Sequence, residues 1–313
     1  MRRALIVGID DYPNSPLSGC GNDARRLTSV LERHADGARN FDCVTLTSPT
    51  AVTRGVLRER VGELFRHSAD VAYFHFSGHG TQHSLGGYLV TPDAEPYDVG
   101  IAMAEVLALA NSAKAREVLI TLDCCHSGAF GTAPGIDERV VLADEVSVIT
   151  ASRADQASLE ESAGGVFTSL LVEALEGGAA GLLGEVSAAG VYAYIENALG
   201  AWDQRPLFKA NVSQFTHLRR AAPKLDAVTL RRITSAFPLP AEELPLSPDY
   251  EPSCEPRDSG REACFADLVR YRHAGLIEPV GEEHMYYAAI NSKSCRLTLL
   301  GRYYWRLVSE NKM

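Results

Sequence analysis

Residues 118–130, VLITLDCCHSGAF, end an apolar run in an acid, two thiols and an imidazole. Such residues can do chemistry in more than one way. A thiol becomes a nucleophile when its thiolate is stabilised and a base stands within reach. Thiols and imidazoles also bind zinc, but Cys124, Cys125 and His126 are adjacent rather than spaced as CxxC, and adjacent ligands rarely reach one ion. The bland alternative is a buried thiol where a strand meets a polar turn. A second string, HFSGHG at 75–80, ends another apolar run and sets His79 between two glycines. Gly78 and Gly80 would let backbone approach a ligand closely. His79 and Cys125 stand 46 residues apart, each just past the end of an expected strand. Neighbouring strand ends lie roughly 5 Å from one another, close enough for an imidazole to serve a thiol. The amides of Gly80 and Cys125 would then face a developing oxyanion.

The elements that must position these groups alternate along the chain. Apolar runs at 4–9, 41–48, 71–80, 117–124 and 146–152 read as strands, with a last one at 206–213. Between them, helical spacing marks 22–35, a helix capped by Thr53, 101–112, 166–176 and 187–199. Near-continuous apolar strands separated by helices predict an α/β fold, a mostly parallel sheet covered by helices on both faces. Sites in such sheets form at the carboxyl ends of strands, where Ser77 to Gly80 and Asp123 to His126 fall.

Composition bounds the rest. The net charge of −10 and pI near 5.4 argue against a general binder of nucleic acid or anionic membrane. No apolar run is long enough to span a bilayer, and the N-terminal run meets Asp10 and Asp11 too soon for a signal peptide. Seven irregularly spaced cysteines suit a reducing compartment, so a cytoplasmic location is expected. The first domain is expected over 1–220. Residues 221–258 hold a proline-rich, acidic stretch that reads as a connecting segment. Residues 259–313 read as helix, two strands around Asn291-Ser292-Lys293, and helix, which resembles a small α+β winged-helix module. Charge over 224–313 is nearly balanced, without the basic excess that phosphate contacts demand, so a protein or ligand activator is the expected partner rather than nucleic acid.

HFSGHG and DCCHSG resemble the two catalytic signatures of caspase-like cysteine peptidases, closest to the metacaspase branch. The resemblance covers roughly residues 3–215 and extends to LSGCGND, TASRADQ and GVFTSLL, in the same order. It implies an endopeptidase with a Cys-His dyad, Cys125 as nucleophile and Cys124 as the variable position before it. It also implies a pocket for the residue preceding the cut, built from Asp23, Ser77 and Asp123. Two carboxylates would pair with Arg or Lys and leave an aspartyl substrate unsatisfied, so the implied substrate is a protein with a basic residue at the cut. The loop where family members are often cut during activation corresponds to 128–144, in which Arg139 is the basic residue. The acidic loops of calcium-dependent members have only Asp93, Glu95 and Asp98 as counterparts, so neither a metal nor another cofactor is expected. The competing function is a nucleic-acid- or protein-binding regulator in which the peptidase fold is secondary or inert.

Overall fold

A computed structural model of the chain describes residues 1–83, 86–96, 98–124, 141–151, 160–161, 164–199, 206–255 and 257–313. It divides into two compact units, Met1–Ala222 and Pro223–Met313. The first unit opens with β1 (Arg2–Gly8), α1 (Cys20–Glu32), β2 (Phe41–Leu46), α2 (Arg54–Arg66) and β3 (Val71–Ser77). Next come β4 (Gly80–His83), β5 (Gly86–Glu95), β6 (Asp98–Ala102), α3 (Met103–Asn111), β7 (Glu117–Asp123) and β8 (Val146–Thr150). The short pair β9 (Glu160–Glu161) and β10 (Gly164–Gly165) leads into α4 (Val166–Glu173). The unit closes with β11 (Glu185–Ser187), α5 (Ala188–Leu199), β12 (Leu207–Asn211) and β13 (His217–Arg220).

Six strands form the central sheet in the order β12-β8-β7-β3-β1-β2. All pairings are parallel except that of β12, which runs antiparallel along β8. β3 and β7 are buried along their whole length, as uninterrupted apolar runs at the centre of a covered sheet must be. Alternate residues feed two cores. Val7, Phe74, Phe76 and Ile120 pack with Leu57 and Val61 of α2 and Val106 of α3. Ile6, Tyr73, Leu119 and Ile149 pack on the opposite side with Leu27 of α1, Phe167 and Leu171 of α4 and Ile195 of α5. Helices therefore cover both faces, as the sequence pattern predicts. The register aligns the strand ends: Gly8 is paired with Ser77, and Ser77 with Asp123. Among the described residues no helix is long and apolar enough to cross a membrane.

One segment differs from its sequence reading. Between the strand expected to end at residue 80 and the helix expected from 101, no element is expected, yet strands within 80–102 form a three-stranded antiparallel sheet in the order β4-β5-β6. Its reason is local burial: Leu89 and Ile101 face each other in register and both enter the core beside α3. Pro92 and the paired glycines at 86–87 mask that alternation in the sequence.

The second unit contains α6 (Ala227–Arg231), α7 (Ile233–Ala236), β14 (Leu244–Pro245), α8 (Ser259–His273), β15 (Ile277–Val280), α9 (Met285–Ile290), β16 (Ser294–Leu297) and α10 (Leu299–Ser309). Asp258 caps α8 and Thr298 caps α10, while Gly275, at φ 73°, ends α8 as a left-handed residue should. Two expectations change here. The stretch 221–258 does not stand apart as a connector, because Phe237 and Leu246 are buried and β14 pairs with β16. Pro245 is tolerated because β14 is an edge strand. Residues 284–299, expected as two strands of a wing, instead fold as α9 followed by β16. Met285, Ala288 and Ala289 bury one helical face, while Tyr286 and Tyr287 stay exposed. Tyrosine's strand preference is overridden by that burial.

One buried group makes the first unit sensitive to acid. The His75 side chain is fully buried on β3, with Nδ1 2.8 Å from Thr121 Oγ1, which also bonds Tyr73 Oη at 2.7 Å. Desolvation holds the imidazole down to about 3, so it stays neutral in the fold. An unfolded chain gains a proton there below its ordinary value near 6.5, so this contribution is complete above that pH and is lost as pH falls towards 3. Urea unfolding across pH 4 to 7 should show that slope, and His75→Gln should flatten it by up to ~1.4 kcal/mol per pH unit.

Candidate active site

The polar groups gather at the carboxyl ends of β1, β3 and β7. His79 follows β3 by two residues, and the Gly78 amide donates to the Asp123 carbonyl at 3.2 Å, tying that turn to β7. Tyr12, in the loop after β1, encloses the histidine. Its hydroxyl accepts from the His79 amide at 3.0 Å and donates to the Val90 carbonyl at 3.2 Å. Val90 in turn donates its amide to the His79 carbonyl at 2.9 Å. The two rings meet at 4.5 Å between centroids, tilted by 53°. Burial pushes the Tyr12 phenol above its ordinary value, so it remains a neutral donor. A methyl group on Gly78 would lie 2.4 Å from that hydroxyl, so glycine is required there for space.

His79 Nε2 lies 2.7 Å from the Ser15 carbonyl. A carbonyl only accepts, so Nε2 carries the proton and the neutral ring keeps its lone pair on Nδ1. The loop that presents Ser15 and Tyr12 is itself pinned by Asp10. Its carbonyl accepts from the Tyr12 and Leu17 amides, both at 2.9 Å. Its carboxylate accepts from the Cys20 and Gly21 amides at 2.8 and 3.0 Å. Asp10 thereby supplies the cap that Gly19 cannot give to α1. Neither Tyr12, Ser15 nor Asp10 was singled out by sequence reasoning. The string IDDYPNSP carried the signal, since an acid and prolines directly after a strand mark a constrained turn.

Gly80, the other residue expected beside His79, opens β4 opposite Leu89. The Val90-to-His79 bond flanks that pair, which makes it the non-hydrogen-bonded kind and turns the Gly80 amide away from β5.

The three residues expected to form the pocket converge. Ser77 and Asp123 are neighbours in register and both are buried. Asp23 comes from α1, is wholly buried, and accepts from the Gly165 amide at 2.8 Å. Arg26, one turn on, stands 3.6 Å from its other oxygen. Asp123 Oδ2 accepts from the Thr168 amide at 3.2 Å and the Thr168 hydroxyl at 2.7 Å. Both carboxylates thus accept hydrogen bonds from the start of α4.

Cys124 is buried in the core formed with α2 and α3, which suits a packing residue. Cys125 and Arg139 lie outside the described residues. The acids considered for calcium are otherwise engaged in part: Asp93 accepts from the Arg54 amide at 3.0 and 3.2 Å, and Asp98 pairs with the Arg54 guanidinium.

The caspase-domain family model, Peptidase C14, matches residues 1–221. The chain belongs to the caspase-domain family. Metacaspase-2 of Trypanosoma brucei brucei is 30% identical over 155 residues, which cover 42% of this chain and 43% of that protein. Metacaspase-6 of Arabidopsis thaliana is 28% identical over 144 residues, covering 41% of this chain and 39% of that protein. The chain thus spans less than half the length of these curated relatives. Caspase-1 from Spodoptera frugiperda shares the fold with a TM-score of 0.52 at 13% identity, over 70% of this chain and 90% of that one. A Geobacter sulfurreducens protein superposes similarly, with a TM-score of 0.53 at 19% identity, covering 71% and 98% of the two chains.

Within this caspase domain the Tyr12 clamp makes a prediction that needs no substrate. Losing one buried hydrogen bond costs about 1 kcal/mol, so Tyr12→Phe should speed hydrogen exchange of the His79 amide by about fivefold to tenfold. Amides in the middle of β7 should exchange as before. Exchange followed by NMR reads both.

Proposed function

We propose that the chain is a cysteine endopeptidase that cuts proteins after Arg or Lys. Cys125 Sγ attacks the carbonyl carbon before the cut, and His79 Nδ1 takes the thiol proton and returns it to the leaving amine. Water then attacks the thioester, giving up a proton to His79, and releases the acid and the thiol. The amides of Gly80 and Cys125 receive the oxyanion, and Asp23, Ser77 and Asp123 select the basic side chain. The observation that carries the specificity is the burial of two carboxylates, Asp123 at the end of β7 and Asp23 on α1, that meet at Gly165. Like charges so placed repel each other, and a guanidinium or ammonium relieves that cost while an aspartate adds to it. The ring geometry supports the dyad, since the Ser15 carbonyl leaves Nδ1 as the basic atom. No metal or other cofactor enters this reading.

The same proposal gives the second unit the role of recruiting a protein partner that regulates the peptidase. Its support is the apolar side chains that unit exposes: Leu299 and Tyr303 line one groove with Pro240, Ala241 and Trp305, and the exposed rings of Tyr286 and Tyr287 pack on each other. Exposed apolar side chains gathered in this way suit an interaction face.

Hydrolysis of matched peptides with Arg, Lys, Asp or Ala before the cut tests the reading, with and without calcium. Arg and Lys peptides should be cut in calcium-free buffer, and Cys125→Ala should abolish the cleavage. Cutting after Asp overturns the pocket, and cleavage that survives in Cys125→Ala overturns the nucleophile.

A further inference from the structure

The string GVFTSLL begins α4, and the proposed chemistry leaves it without a task. We infer that Gly165 and Thr168 are specificity-determining residues that hold Asp23 and Asp123 as one pocket for a basic side chain. The inference rests on the Arg/Lys reading and deepens it.

α4 has no cap of its own, because its N-cap residue is Gly165. Two carboxylates from elsewhere in the fold take that place. Asp123 reaches from β7 to the amide and hydroxyl of Thr168, the third residue of the helix. Asp23 reaches from α1 to the amide of Gly165 itself. One helical turn therefore sets the spacing of both acids. Its unpaired amides and positive dipole end also offset the repulsion between two buried negative charges.

Gly165 is needed for space rather than for backbone freedom. Its φ of −69° is open to any residue. A methyl group there would lie 2.2 Å from Asp123 Oδ2 and 3.1 Å from Cγ, so any side chain would displace that carboxylate. Thr168 holds Asp123 Oδ2 with two donors at once, which fixes the rotation of the carboxylate. Thr168 is wholly buried, so its hydroxyl has no exchange with bulk water to compensate if Asp123 is lost.

The test compares kcat and KM on an Arg peptide and an Ala peptide for wild type, Thr168→Ser, Thr168→Val and Gly165→Ala. A hydrogen bond to a carboxylate carries about tenfold or more, so Thr168→Val should raise KM for the Arg peptide by that factor with kcat nearly unchanged. The Ala peptide does not fill the pocket and should change far less, so the Arg-to-Ala ratio of kcat/KM should fall. Thr168→Ser keeps the hydroxyl and should restore the Arg preference. Gly165→Ala should lose more of that preference than Thr168→Val. An unchanged Arg-to-Ala ratio in both variants, even with a lower melting temperature, overturns the inference and leaves the two acids as caps of α4 only. Should neither variant fold, Cys125→Ala protein reads the pocket directly. There the Arg peptide should slow hydrogen exchange of the Thr168 amide and the Ala peptide should not; equal exchange overturns the inference. A wild type that ignores Arg and Lys peptides removes the parent reading before any variant is made, and the inference falls with it.

Discussion

Parallel pairing at the sheet centre brings Gly8, Ser77 and Asp123 level with one another, and almost everything at the site depends on that alignment. Strands buried on both faces have little freedom to slip, because a shift of one residue would exchange the side chains feeding the two cores. The price of such a slip would be the removal of residues such as Phe74 and Phe76 from their core, at about 1.5–3 kcal/mol for each side chain exposed. Hydrophobic packing well below the site therefore holds polar groups level above it. The polar groups at the strand ends inherit their placement from a part of the protein that carries none of them.

Around that fixed line, short loops do the finer positioning, and each leans on a helix start. Asp10 ties the loop after β1 to α1, and the same loop carries Tyr12 and Ser15 to His79. Asp123 and Asp23 tie β7 and α1 to α4. Three acids thus satisfy helix amides that would otherwise be orphaned, since neither Gly19 nor Gly165 supplies a side chain. Glycine at both N-caps is part of this arrangement. A helix that lacks its own cap must borrow one, and borrowing joins elements distant in sequence.

The frame was legible because the first unit repeats one simple pattern, apolar strand then amphipathic helix, from β1 to α5. The signatures around His79 and Cys125 stood out because strand ends rarely carry thiol, imidazole and glycine together. The elements without a sequence signal are less periodic. The β4-β5-β6 sheet hides behind Pro92 and its glycines, and Tyr12 and Ser15 act through a hydroxyl and a main-chain carbonyl. In the second unit, Met285, Tyr286 and Tyr287 suggest a strand by type, yet Ala288 and Ala289 complete a helical face that buries better. Proline is ambiguous in the same way, since Pro245 marks an edge strand rather than the absence of one.

The histidine ring is aimed by the Ser15 carbonyl, an atom that every residue type carries in the same place. The information that fixes which nitrogen is basic is therefore stored in the path of the backbone and not in the identity of residue 15. Position 15 can vary widely in side chain while the tautomer stays the same. An alanine scan would pass over it in silence. Changes in the length of the loop, which shift the carbonyl without altering any polar side chain, would instead disarm the ring.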